Sequence, residues 1–362
     1  MNIDAGCTVT RTTMHGGRRE GVEMLEVDNG RLRLALLPQR GMGIWKAWLG
    51  DVELGWHSPV HGPVHPAYVS LHDPSGEGWL EGFDELLCRC GLVSNGAPDF
   101  DAQGRLLHPL HGRIANLPAE HVDIDRDPET GRIAICGVVY ETRFHHQKLR
   151  LRSTLSTRPD EAGFDVHDEV TNLSAEAASV QMLYHYNLGT PLLGAGASVV
   201  APIRELVPRD ERAAAGIQQW HCYGPPCAGF AEQVYFADLF ADAGGGTLAL
   251  LKNAESNFAA SVRFNQRQLP CFVIWKNTVD LCDGYVTGIE PSTNFPNPRS
   301  FEADHGRVVS LAPGQSVSFD LRFDFHEDAG RIRAVESEIE SLRSGRLPFV
   351  HPNPRLDWCA RA

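Results

Sequence analysis

No apolar run in this sequence approaches the roughly 20 residues that a membrane-spanning helix requires. The first residues, MNIDAGCTVTRTT, lack both the basic start and the apolar stretch of a secretion signal. A cytoplasmic protein with no membrane partner is therefore expected. Clusters of Lys or Arg are missing too, and 46 acidic against 33 basic residues leave a formal net charge of -13. Such a chain repels polyanions, so nucleic acid is a poor partner. The nine cysteines are odd in number and scattered. Cys88 and Cys90 stand one residue apart, and Cys222 and Cys227 frame Tyr-Gly-Pro-Pro; neither spacing is that of a zinc ribbon or a redox pair. Free thiols in a reducing compartment are the expectation. A glycine-rich loop leading into a helix, as nucleotide phosphates require, is also absent: GAGAS at 194–198 has no such context.

Strand patterns are abundant. RLRLALLP (31–38) alternates, with Leu32, Leu34 and Leu36 on one face. RIAICGVVYETRF (132–144) and KLRLRSTLST (148–157) keep the same period of two. FDVHDEVTN (164–172), GTLALL (246–251), CFVIW (271–275) and VSFDLRFDF (317–325) continue the set, separated by Asp-Pro and Ala-Pro-Gly turn signals. Thirty-five glycines and twenty-three prolines suit many short strands joined by loops. A helix is expected at about 329–344, where Ile332, Val335, Ile339 and Leu342 share one face before Gly345. A short helix is also permitted within EGWLEGFDELLCRCG (77–91). With no repeat or linker in sight, the expectation is an all-β chain: one domain over residues 1–362, a large antiparallel β-sandwich with a short C-terminal helix.

Three segments carry ionisable groups in strand-like surroundings. In HPLHGRIANLPAEHV (108–122), Gly112 permits close backbone approach, and Arg113 and Asn116 offer donors to hydroxyls. LYHYNLG (183–189) sets His185 between Tyr184 and Tyr186. GYVTGIEPSTNFPNPRS (284–300) places Glu290 at the end of an apolar strand, where partial burial raises its basicity. Taken singly, His111 and His185 read as core histidines bonded to backbone carbonyls, and Glu290 as a strand-end surface residue. His57, His61 and His65 lie among Pro59, Gly62, Pro63 and Pro66, where no helix can gather them around a metal. HDPSGEGW (72–79) reads as a solvated loop.

Taken together, the segments resemble the aldose 1-epimerase (galactose mutarotase-like) superfamily. LYHYNLG is similar to its His-Pro-Tyr-Phe-Asn-Leu segment, which carries the general acid; here Tyr186 follows His185 directly and the proline is absent. LHGRIAN resembles the earlier histidine segment, matching it at His111 and Gly112. Arg113 falls two residues before the arginine of the hexose-phosphate branch. VIWKN followed by GIEPSTN resembles the run in which a glutamate is the base, and Glu290 and Pro291 match it. AEQVYF is similar to an element bearing a sugar-contacting aspartate, with Glu232 at that place. The order of these matches, from about residue 30 to 325, is that of the family. The poorly characterised group DUF4432 is the nearest named branch.

The resemblance implies a mutarotase acting on a small-molecule sugar, with Glu290 as base, His185 as acid and His111 stabilising developing charge. Arg113, Glu232, Lys276, Asn116, Tyr184 and Arg40 are the candidates for orienting hydroxyls. No metal or redox cofactor is needed by such a reaction. A homodimer is expected on frequency alone. Two other readings share the fold: a noncatalytic sugar-binding protein, and an isomerase or lyase acting on a uronic or keto sugar.

Overall fold

The computed structural model describes residues 7–360. Among these, thirteen strands form one large sheet and eight form a second. The large sheet runs, in spatial order, through Thr8–Thr13, Glu23–Asp28, Leu32–Leu37, Gly43–Leu49, Leu87–Leu92, Ala178–Leu188, Val286–Ser292, Cys271–Asn277, Gln233–Leu239, Ile203–Pro208 and Phe349–Val350, with two short strands alongside. Its neighbours are antiparallel except for the pairing of Glu205 and Leu206 with Phe349 and Val350, which is parallel. The second sheet is built around Gly163–Asn172 and Ser316–His326.

The two sheets pack face to face. The alternating side chains of the long hairpins meet across the interface: Tyr186 from the large sheet lies 4.8 Å from Phe323 of the second, edge to face. The same interface buries a charged strut. Arg89 donates from Nε and Nη2 to the two carboxylate oxygens of Asp168 and from Nη2 to Ser153, while the Tyr184 hydroxyl donates to Asp168 at 2.8 Å. The strands expected from alternation are all present, within a residue or two at each end.

Three α-helices occur among the described residues, two of them a single turn or slightly more. The third, Ala329–Arg343, starts where the Asp328 side chain accepts from the Arg331 N–H and ends at Ser344 in a left-handed conformation. Ile332, Val335 and Ile339 pack against Leu248 and Leu250 of the second sheet, as the spacing implied. The 77–91 segment forms no α-helix. Gly78–Gly82 is a 3₁₀ turn, and the chain then enters the Leu87–Leu92 strand. Trp79, expected in a solvated loop, is 1% exposed. No helix among the described residues is long and apolar enough to cross a membrane.

The far face of the large sheet decides where the site lies. Segments 56–86 and 109–116 fold over it, so the central strand Ala178–Leu188 is covered on both sides. Trp56, Trp79, Phe83, Cys88, Cys90, Ala115, Leu183 and Val286 form a second, smaller apolar cluster there. A central strand buried on both faces reads in sequence as an uninterrupted apolar run. That explains why a histidine within it stands out.

Candidate active site

Register brings the expected catalytic residues together. Antiparallel pairing of Leu183 with Ser292 and of Tyr186 with Ile289 sets His185 opposite Glu290 on the adjoining strand. Their side chains project from the same outer face, and His185 Nε2 lies 3.3 Å from Glu290 Oε1. The contact is an ion-pair distance without hydrogen-bond alignment, and Oε1 has no hydrogen-bond partner in the protein. Gly288 makes the pair possible: a Cβ there would sit 2.1 Å from Glu290 Oε1 and 3.2 Å from His185 Cε1.

Partners fix both histidine rings. His185 Nδ1 faces Asn187 Oδ1 at 2.5 Å, and the Asn187 amide is held in that sense by donating from Nδ2 to the Glu85 carbonyl at 2.9 Å. Nδ1 therefore carries the proton, and Nε2 is left toward Glu290. His111 Nδ1 likewise meets the Asn95 carbonyl at 2.9 Å, which can only accept. Neutral His111 therefore offers Nε2 as an acceptor, which suits a sugar hydroxyl better than it suits a ring oxygen. The residue sits at φ 57, a left-handed conformation uncommon outside glycine. This turn brings its ring perpendicular to that of His185, 5.3 Å away. Gly112 follows at φ +71, where a Cβ would meet the Ser94 carbonyl oxygen at 2.0 Å.

A cavity of about 390 Å³ opens over this trio. Trp79, Phe83 and Trp275 provide aromatic walls, and His185 makes edge contacts with Phe83 at 5.1 Å and Trp275 at 5.4 Å. At the mouth Glu232 accepts from Trp275 Nε1 at 2.7 Å and from Arg209 at 2.9 Å. Burial dominates the electrostatics. It lowers His111 to about 4, against the opposing effects of the Asn95 carbonyl and the Glu232 charge. It lowers His185 well below the usual histidine value, helped by His111 and opposed by Asn187. Glu290 is raised well above the usual carboxylate range by burial and then by Glu232, with Arg209 opposing. Burial thus disfavours the charged form of both groups, which favours a pair that carries no net charge.

Four sequence candidates converge here: His111, His185, Glu290 and Glu232. The other five do not. Tyr184 and Lys276 each neighbour a site residue along a strand, and side chains alternate faces with every residue. Tyr184 points into the sandwich, onto Asp168. Lys276 turns away from the cavity that Trp275 lines; its ammonium donates to the carbonyls of Gln219 and Cys222 at 2.8 and 2.6 Å. Arg40 is fully buried, donating to Glu85 at 2.9 Å, to the Gly82 carbonyl at 2.7 Å and to Asn116. Arg40 and Asn116 thus act at one remove, bracing the segment whose Glu85 carbonyl orients Asn187 and hence His185. Arg113 opens into a different cavity. Trp79, Phe83, Trp275 and Arg209 also line the cavity, although the sequence did not mark them as candidates. EGWLEGF carried the signal for the first two, and nothing local marks Arg209. Among the described residues, no group of three or more His, Cys, Asp or Glu side chains is placed to hold a metal ion.

Comparison with known proteins agrees with this architecture. Residues 19–325 match the family described as Domain of unknown function (DUF4432). A crystal structure from Klebsiella pneumoniae, of a protein provisionally named an aldose 1-epimerase, superposes with a TM-score of 0.93 at 35% identity, covering 96% of this chain and 91% of that one. A galactose mutarotase-like protein from Clostridium acetobutylicum (TM-score 0.61, 17% identity, 89% and 99% covered) shares the fold. So does a galactose 1-epimerase from Lactobacillus acidophilus (TM-score 0.56, 11% identity, 89% and 100% covered). No curated protein matches the chain.

Proposed function

The chain belongs to the DUF4432 family, within the galactose mutarotase-like fold, and on that premise we propose that it interconverts the α and β anomers of a free sugar by acid/base ring opening. The observation that carries this reading is the His185–Glu290 pair, 3.3 Å apart at the floor of a sugar-sized aromatic cavity, with burial favouring one shared proton over two opposite charges. Mutarotation moves one proton off the anomeric hydroxyl and one onto the ring oxygen, with no net gain. A couple that shares a single proton is matched to that demand.

The geometry supports the following course. A sugar hydroxyl bonded to Glu290 replaces the hydration the carboxylate loses on burial, and the shared proton crosses to His185 Nε2. Glu290 then takes the proton from O1 while His185 delivers its own to O5, and the C1–O5 bond breaks as the C1–O1 bond becomes a carbonyl. Rotation about C1–C2 turns the other face of the aldehyde toward O5. Closure reverses both proton transfers and returns the pair to its starting state. His111 Nε2 accepts from a neighbouring hydroxyl and fixes the ring plane, and Glu232 reads a hydroxyl at the mouth.

The charge of the cavity favours a neutral sugar. Arg209 is its only cation among the described residues, and that guanidinium is already paired with both Glu232 and Asp210. Glu77 and Glu232 stand against it, and the His185–Glu290 pair adds no net charge. A phosphate or uronate would enter with no cation left to meet it. Saturation-transfer NMR on a panel of free aldoses, hexose phosphates and uronates tests both statements. Accelerated exchange is expected for a neutral aldose, and acceleration confined to anionic sugars would reject the charge argument. Binding without exchange for any sugar would instead favour a noncatalytic sugar-binding protein.

The same assay carries a pH prediction. A lowered His185 and a raised Glu290 widen the range in which the pair holds one proton. Acid inactivation occurs only when His185 takes a second proton, and alkaline inactivation only when Glu290 loses the last one. The exchange rate should therefore stay level as pH falls through about 6.5, where an unperturbed histidine titrates. A drop centred there would mean that His185 is not buried as described.

A further inference from the structure

Behind the His111–Arg113 turn, on the side away from the catalytic pair, lies a second cavity of about 440 Å³. Three arginines line it: Arg113, Arg143 and Arg299. None of them forms an ion pair among the described residues. Arg299 makes one side-chain bond, to the Val93 carbonyl at 2.7 Å, although it is largely buried. Arg113 makes none, and its buried Nε has no partner. Ser94, 1% exposed, lines the same space with an unpartnered hydroxyl.

Buried arginines elsewhere in this protein are treated differently. Arg40 meets Glu85, Asn116 and a carbonyl, and Arg89 meets Asp168, Ser153 and Met42. A guanidinium has five N–H donors, and for the half-buried Arg113 and Arg299 leaving them unsatisfied is costly unless an acceptor arrives from outside, whereas Arg143 stands exposed at the rim. The one carboxyl in the cavity, Glu141, does not fill that role. Its Oε2 accepts from the Leu92 N–H at 2.7 Å, and burial raises it to about 7 despite the opposing effects of that bond, Arg113 and Arg299. Even fully ionised it offsets one of the three guanidinium charges, and it becomes neutral as pH falls below about 7. His108 and His146 complete the polar wall, and Val93, Leu106 and Pro109 supply an apolar one.

We propose that this cavity is a binding site for a small organic anion, whose carboxylate or phosphate group is gripped by Arg113, Arg143 and Arg299 while its apolar body rests on Val93, Leu106 and Pro109. Planar guanidinium groups bond two oxygens of either anion at once. The site is separate from the sugar cavity, in which the histidines are neutral and the single arginine is spent. It adjoins that cavity through the turn that carries His111.

The test is calorimetric titration of the full chain, at low ionic strength, with inorganic phosphate and with malonate. One equivalent of at least one probe should bind with a Kd of about 1 mM or tighter. Arg299→Gln should weaken that binding by about tenfold or more. So should Arg143→Gln, whose side chain is exposed and whose loss leaves the unfolding midpoint in place. Phosphate binding alone would assign a phosphate ester as the ligand, and malonate alone a carboxylate. Absence of binding to either probe at about 10 mM, or affinity unchanged in both variants, would overturn the proposal. The readout is binding at a site remote from the catalytic pair, so it stands whether or not sugars are turned over.

Discussion

Exchanging Glu290 for glutamine should slow anomer exchange by about 10²–10⁴-fold, the usual worth of a positioned acid/base group, with the unfolding midpoint unchanged. The second half of that expectation follows from burial. Glu290 is 2% exposed and burial favours its neutral form, which glutamine matches in shape. The amide keeps the packing and the contact with His185 but cannot accept the anomeric proton. An exchange rate within about twofold of the parent would show that some other group removes that proton. His185→Asn provides the complementary reading, because it removes the other end of the pair while the Asn187 acceptor remains. Loss of rate in both variants by similar factors would identify them as one unit.

The largest effect on stability is expected from Asp168→Ala, at about 3–5 kcal/mol. Asp168 accepts from Arg89 on two nitrogens and from the Tyr184 hydroxyl, all at the centre of the interface between the sheets. Arg89 and Asp168 are 2% and 0% exposed, so removing the carboxylate strands a guanidinium that water cannot reach. The cost belongs to the stranded charge more than to the bond itself. The double variant Arg89→Met, Asp168→Ala should accordingly recover a large part of the loss. Denaturant unfolding of the two variants measures it. A single variant as stable as the parent, or a double variant no better than the single, would show that the strut does not hold the sheets. Catalysis should follow stability here, since Tyr184 faces away from the cavity.

Tyr184 and His185 show where sequence reasoning succeeds and stops. Alternation alone says that neighbours on a strand face opposite ways, so the two could not both line one cleft. It does not say which face is the cleft, because Ala178–Leu188 is covered on both. The same ambiguity made Lys276 a candidate rather than Trp275, although only the tryptophan looks into the cavity. Arg40 and Asn116 posed a different problem. Their residue types suit hydroxyl binding, yet each spends its donors or acceptors inside the protein, a fact that only the partners reveal. Arg209 stood on no motif, and it enters the site because Gln233–Leu239 and Ile203–Pro208 pair across the sheet.

By itself the sequence determined the all-β class, the long strands and the terminal helix, which rest on local periodicity, and it offered His111, His185 and Glu290 as candidates through ordered motifs along the chain. The tertiary structure alone decided that His185 and Glu290 meet, that burial disfavours the charged form of each, and which remaining polar groups face the cavity above them. Strand register, burial and the saturation of hydrogen bonds join residues far apart in the chain: Glu290 lies more than a hundred positions from His185. Only the register between their two strands converts that separation into 3.3 Å.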